Sequence, residues 1–386
     1  MLARIALPFI ALLCTVFAAP SSLKLQRKGL RFDYQNDKIR GVNIGGWLVL
    51  EPYITPSLFQ QWAPGTEPVD EWHYTQYLGK EVAADRLETH WKTFYTEDDF
   101  KKIASLGLNT VRIPIGYWAF HLVENDPYVQ GQEAYLDQAL EWARKHGLYA
   151  WVDLHGAPGS QNGFDNSGLR DSYDFQKGDN VQITLDVLNY ISKKYGAADY
   201  EDVVMGIELL NEPMGSVLNM DGVKDFFTKG YNQLRADGLT NAVVIHDAFE
   251  PVGYWDDFLV VGEAWDVVVD HHYYECFSNE DLHKTIDEHI KTVCELGAGG
   301  KKESHWNVVG EFTAALTDCA LWVNGLGYGA RYSGDYDDGT YIDSCVPYID
   351  VGKWCSTYRE NVIRFVEVQF DSYELAAGWF FWCWKT

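Results

Sequence analysis

The chain is poor in positive charge: 31 Lys and Arg stand against 56 Asp and Glu across 386 residues, a formal net charge of −25. That balance repels nucleic-acid phosphates and anionic membranes and suits an uncharged polymer as partner. None of the seven cysteines forms a C-x-x-C pair, which argues against a thiolate zinc site. No N-x-[ST] sequon occurs, so N-glycosylation is not expected. No G-x-G-x-x-G follows a candidate strand, which disfavours an open dinucleotide-binding sheet. There is no internal repeat, no Pro/Ser-rich linker, and no apolar run after residue 20 long enough to cross a bilayer.

What is present begins with a leader. Residues 1–19 carry one early positive charge at Arg4, an apolar run from Ile5 to Phe17, and then small residues. This pattern predicts a secretory signal cut after Ala18, because Pro20 would hinder cleavage after Ala19. Residues 20–30 read as a short pro-segment with the basic pair Arg27-Lys28. A secreted protein of the extracellular space or cell wall follows. Cys14 would leave with the leader, and one or two disulfides are expected among the six cysteines that remain. Hydrophobic residues at 47% can fill a large core. The 15 Trp and 24 Tyr offer faces that pack on sugar rings as well as on each other.

From residue 31 onward, short apolar runs alternate with amphipathic segments. Strand candidates are Arg40–Leu50, Thr110–Ile115, Tyr149–Leu154, Val203–Leu210, Val243–Asp247, Val267–His271, Asn307–Gly310 and Gly378–Trp384. They are apolar throughout, as strands of a doubly covered parallel sheet are. Helices are expected from the cap at Thr96, over Glu133–His146, Asn180–Tyr195, Met220–Asp237, Glu280–Glu295 and Tyr358–Ser372. Eight such units predict a single-domain (β/α)8 TIM barrel. Thr386 stands two residues beyond the eighth run, so the expectation is a barrel truncated before its last helix.

Catalysis in such barrels sits at the C-terminal strand ends. Those ends here carry Arg112, His155, Asn211-Glu212, His246-Asp247, His272 with Tyr274, Glu311, and Trp382 or Trp384. Buried charge is costly unless paired or used, and nearly every end carries such a group. Glu212 and Glu311 are the catalytic candidates. Glycosidic cleavage needs one carboxyl holding a proton for the leaving oxygen and a second that is ionised. Asn211 is placed to hold the sugar 2-hydroxyl, and Arg112 to keep Glu311 charged and its pKa low. A metal site on His271-His272 is disfavoured, because adjacent strand residues face opposite ways.

Five blocks carry a resemblance: Ile39-Arg-Gly-Val-Asn-Ile-Gly-Gly-Trp47, Val111-Arg-Ile-Pro-Ile-Gly-Tyr-Trp118, Asp153-Leu-His-Gly-Ala-Pro-Gly-Ser-Gln-Asn-Gly163, Leu210-Asn-Glu-Pro213 and Val309-Gly-Glu-Phe312. From about Arg31 to the last residue the chain resembles the fungal exo-β-1,3-glucanases of glycoside hydrolase family five. The resemblance implies a (β/α)8 fold, retention of configuration, and release of glucose from non-reducing ends. It implies Glu212 as proton donor and Glu311 as nucleophile. Arg112, His155, Asn211, His272, Tyr274 and Trp382 would bind or flank the sugar, Glu51 its hydroxyls, and Phe164 with Phe277 would form the pocket entrance. Choosing Trp382 over Trp384 rests on the motif, since the two share one strand parity. Cys319 and Cys345 match a family disulfide, and Cys294 is left without its usual partner. Phe312 replaces the family's usual Trp.

The expected enzyme needs no metal or organic cofactor, binds β-glucan polysaccharide, has no nucleic-acid partner and no membrane span, and acts as a monomer. A sugar acceptor in place of water would give transglycosylation. Two alternatives stay open at this point: an endo-acting enzyme on β-1,4- or β-1,6-glucan, and a catalytically silent wall-glucan-binding protein.

Overall fold

The computed structural model describes residues 32–336 and 339–386. The leader and the pro-segment expected at residues 1–30 lie outside the described residues. Eight strands form a closed parallel barrel in sequential order. They are β1 (Ile39–Asn43), β2 (Thr110–Gly116), β3 (Tyr149–Gly156), β4 (Val204–Glu208), β5 (Ala242–His246), β6 (Val267–Tyr273), β7 (Trp306–Phe312) and β8 (Gly378–Phe381). Pairing of Ile39 with Gly378 and of Val42 with Phe381 joins β8 to β1 and closes the sheet.

Strand side chains alternate between the barrel interior and the helix-covered outside. Outside, Ile113 and Val152 join Leu136 and Leu140 of a covering helix in one large buried apolar cluster. Inside, at the N-terminal end, Ile39, Trp151, Val244, Val268, Val308 and Phe380 form a second cluster with Phe32 and Tyr34. Glycines make room for its largest rings. A Cβ on Gly41 would lie 2.3 Å from Phe380, and one on Gly206 would lie 2.8 Å from Trp151.

Local signals fix the helices. Thr96 with Asp99 and Thr285 with Glu288 form capping boxes for the helices Glu97–Ser105 and Ile286–Gly300. Gly147, at φ 73°, terminates Gln132–His146 in the left-handed conformation. The second box explains a departure from expectation. Glu280–Glu295 is not one helix but two, Asn279–His283 and Ile286–Gly300, because Thr285 starts a new one. The first strand is also shorter than the expected Arg40–Leu50. It stops at Asn43, and Gly46 at φ 69° turns the chain, so Trp47–Leu50 pack as a buried loop. Three helices follow that the pattern of apolar residues does not announce: Pro56–Phe59, Glu71–Leu78 and Lys80–Thr93. The eighth strand ends at Phe381, so strand parity does not decide between Trp382 and Trp384.

Candidate active site

Two residues above the apolar plug, the same inward rows turn polar. Arg112 is not at a strand end; it is the third residue of β2 and fully buried in the barrel. Its Nε donates to Glu208 Oε2 at 2.8 Å, its Nη1 to Glu311 Oε1 at 2.9 Å and to Asn43 Oδ1 at 3.1 Å, and its Nη2 to Asn211 Oδ1 at 2.8 Å. Asp153 lies 3.1 Å away and Asp270 3.6 Å. With its donors committed to protein groups, Arg112 acts on the site through Glu311 and Asn211 and does not hold sugar itself.

Glu311 reaches the site through a bulge. β7 pairs Val309 with His271 but Glu311 with His272, so Gly310 is the extra residue that re-aims the carboxylate. Glu311 accepts from Tyr274 Oη at 2.7 Å as well as from Arg112. Glu212, just beyond β4, sits at φ 47°, a left-handed conformation that costs a non-glycine residue on the order of 1 kcal/mol. It accepts from Asn166 Nδ2 at 2.9 Å and contacts His272 Nδ1 at 2.7 Å. The same His272 nitrogen lies 3.4 Å from Glu311 Oε2. Both carboxylates are buried.

Their tuning runs against the expected division of labour. Burial pushes the Glu212 carboxyl upward, but the hydrogen bond and charge of His272, with smaller help from His246 and Asn166, outweigh it and bring the group down to about 2. Glu311 lies above the usual carboxylate range: burial and the Glu212 charge outweigh His272 and Arg112. The expectation that Arg112 keeps Glu311 low is therefore corrected. Arg112 already faces three other carboxylates, so its charge is divided.

The remaining expected residues gather around this pair. His155 is buried, with Nδ1 2.6 Å from Asp153 and its ring parallel to Trp382 at 5.9 Å. Asn211 Nδ2 lies 3.4 Å from His155 Nε2. Trp382 is buried, and its Nε1 donates to Tyr53 Oη, whereas Trp384 turns away and donates to Asp99 at 3.0 Å. Glu51 is buried and accepts from Gly46 N–H at 3.3 Å; burial, with Asp165 and Glu311 nearby, holds its carboxyl well above the usual range. Phe164 and Phe277 expose 41% and 36% of their surface on the loops after β3 and β6. The loop after β7 carries the Cys319–Cys345 disulfide and is tied to the β3 loop by Arg170 Nη1 donating to Leu326 O at 2.6 Å. Cys294 is an exposed free thiol.

Reasoning from the sequence misses Asn166, Tyr53 and the lower charged row of Asp153, Glu208 and Asp270. The row has a signal: each is a carboxylate within an apolar strand, and Asp153 and Asp270 stand two residues before His155 and His272. Asn166 and Tyr53 lie in loops, where no periodicity marks them. His271 faces away from His272, as strand alternation requires, and meets Asp247 and Glu303. Glu212, His246 and His272 place one N or O atom each within 4.8 Å of the others. Hydrogen bonds engage His246 Nδ1, which accepts from Ala248 N–H at 3.0 Å, and His272 Nδ1, which meets Glu212, while Nε2 of each ring has no hydrogen-bond partner.

A closed parallel barrel with two buried carboxylates facing one imidazole at its C-terminal mouth defines a glycoside-hydrolase type of site. Residues 76–274 match the family described as Cellulase (glycosyl hydrolase family 5). The chain is 61% identical to a glucan 1,3-beta-glucosidase of Candida oleophila, over 98% of this chain and 91% of that protein. It is 53% identical to glucan 1,3-beta-glucosidase I/II of Saccharomyces cerevisiae, over 95% and 86%. Among solved structures, rutinosidase from Aspergillus niger shares the fold with a TM-score of 0.72 at 18% identity, covering 92% of this chain and 91% of that one. The chain belongs to glycosyl hydrolase family 5 and is a glycoside hydrolase.

Proposed function

We propose that this enzyme hydrolyses β-1,3-glucan from non-reducing ends, releasing glucose with retained configuration. One observation carries the reading. Glu212 and Glu311 lie 2.7 and 3.4 Å from the same His272 nitrogen, so their facing oxygens are about 6 Å apart at most, which favours the close pair of retaining enzymes over the wider pair of inverting ones. In a pair of that kind one carboxylate attacks carbon directly instead of activating a water across the ring.

Glu311 takes the nucleophile's role, held by the Arg112 and Tyr274 donors. Glu212 takes the acid/base role because it is the carboxylate in close contact with a proton carrier, His272. Cleavage of the anomeric C–O bond sends its electron pair to the leaving oxygen, which takes a proton from Glu212 while Glu311 bonds to the anomeric carbon. Water then displaces Glu311 and gives its proton to Glu212; a sugar acceptor in place of water gives transglycosylation. Glu51 and Asn211 Nδ2 serve the terminal glucose, Trp382 and His155 wall its subsite, and Phe164 with Phe277 flank the entrance. The joined β3 and β7 loops support a blind pocket over an open groove. Secretion and action on the wall complete the proposal; no helix of the described residues is long and apolar enough to cross a membrane.

Early products from laminarin test the reading. Glucose alone, first appearing as the β-anomer, is the expected outcome. A ladder of oligosaccharides would overturn exo action, and α-glucose would overturn retention.

A further inference from the structure

Asp270 is fully buried on β6, and neither of its carboxylate oxygens accepts a hydrogen bond. Burying a carboxylate without donors is costly, because nothing replaces the water it gives up. Asp153 and Glu208 each leave one oxygen unpartnered but hydrogen-bond through the other, and Asp247 accepts from Phe249 N–H at 2.7 Å and meets His271 Nδ1 at 2.7 Å. Asp270 has two basic groups beside it, Arg112 Nε at 3.6 Å and His272 Nε2 at 3.4 Å, the latter an ion-pair contact and not a directed hydrogen bond. Arg112 does not require it, being faced by Asp153, Glu208 and Glu311. The fold also keeps space for it: a Cβ on Gly310 would lie 2.0 Å from Asp270 Oδ1. What remains is its position directly behind His272, whose other nitrogen contacts Glu212 at 2.7 Å.

We propose that Asp270 is a positioning residue for the acid/base: its buried charge behind His272 keeps a proton on the His272–Glu212 pair, and Glu212 draws on that proton when the glycosidic bond breaks. This deepens the glucan-hydrolase reading and rests on it. Before the bond breaks the proton rests on His272 Nδ1, 2.7 Å from Glu212 Oε1. As the leaving oxygen takes the bond's electron pair, the proton on Nδ1 passes to Glu212 and on to that oxygen. His272 is left neutral, its remaining proton on Nε2 facing Asp270. When water displaces Glu311, its proton returns through Glu212 to Nδ1. The groups that surround His272 are Glu212 beyond β4, His246 on β5, Asp270 on its own strand and Glu311 on β7. One step further, through Arg112 on β2, stand Asp153 on β3 and Glu208 on β4.

The test compares wild type and Asp270→Asn on laminarin and on 2,4-dinitrophenyl β-glucoside, whose leaving group needs no proton. Laminarin kcat/KM should fall roughly 10- to 100-fold, within the range of general-acid catalysis, with the dinitrophenyl substrate little changed. The alkaline limb on laminarin should move about one pH unit or more toward acid, because a negative charge next to His272 is lost. Equal losses on both substrates with an unmoved limb would overturn the proposal. If the variant does not fold, 15N NMR of wild-type His272 decides: protonation of both nitrogens in the empty enzyme at neutral pH is expected, and an unprotonated Nε2 refutes it. Failure of wild type to cleave laminarin would instead refute the glucan-hydrolase reading.

Discussion

The two ends of the barrel interior are built on the same strands and differ by a step of two residues. Trp151 gives way to Asp153 and His155 on β3, Val244 to His246 on β5, Val268 to Asp270 and His272 on β6, and Phe380 to Trp382 beyond β8. The lower end is an apolar plug with glycines cut to fit its rings. The upper end buries one arginine among four carboxylates and leaves Asp270, Glu208 and Asp153 with unpartnered oxygens. Only the first arrangement favours folding by itself. The second is sustained by the surrounding scaffold, and its cost makes sense at the end where chemistry occurs.

Altering one residue at each end should separate the two most clearly. Glu311→Gln should lower laminarin turnover by about 1,000-fold or more while leaving the thermal midpoint close to wild type. Undiminished turnover would remove Glu311 from the nucleophile's role. Trp151→Ala should do the reverse, costing about 3–5 kcal/mol in denaturant unfolding while the folded fraction keeps its kcat/KM. A large loss of specific activity in that variant would mean that plug and site are not independent.

A smaller effect is expected on the outer face. The His271 imidazole is raised to about 10, because Asp247 and Glu303 outweigh the burial that would lower it. A pKa raised on folding stabilises fully below the unfolded value of about 6.5, and that stabilisation is lost as pH rises through about 10. Thermal midpoints should therefore decline across that window, and His271→Asn should flatten the decline. A wild-type midpoint independent of pH there would show that this pair of ion contacts contributes nothing net.

Much of the site is legible in the sequence because strand ends concentrate expensive residues. Glu212, Glu311, His155, His272 and Tyr274 follow apolar runs, and the structure brings them together. Arg112 stands lower than a strand-end reading places it, since a charged residue inside an apolar strand looks the same as one at its end until the register is known. The direction of the Glu212 and Glu311 shifts is not legible at all. It depends on His272 standing between two carboxylates that are far apart in the chain, and Coulomb interactions follow distance in space. Glu280–Glu295 reads as one helix because its apolar spacing continues across Thr285, where the capping box interrupts it.

The order of the strands, the barrel, and the pair of glutamates are written in the chain itself, through local periodicity and residue type at strand ends. Which proton belongs to which group is settled only in three dimensions. Closing the sheet brings β2, β4, β6 and β7 around one buried space, and there the balance of burial against neighbouring charge sets each carboxyl. That balance is a property of distances, which no stretch of sequence contains.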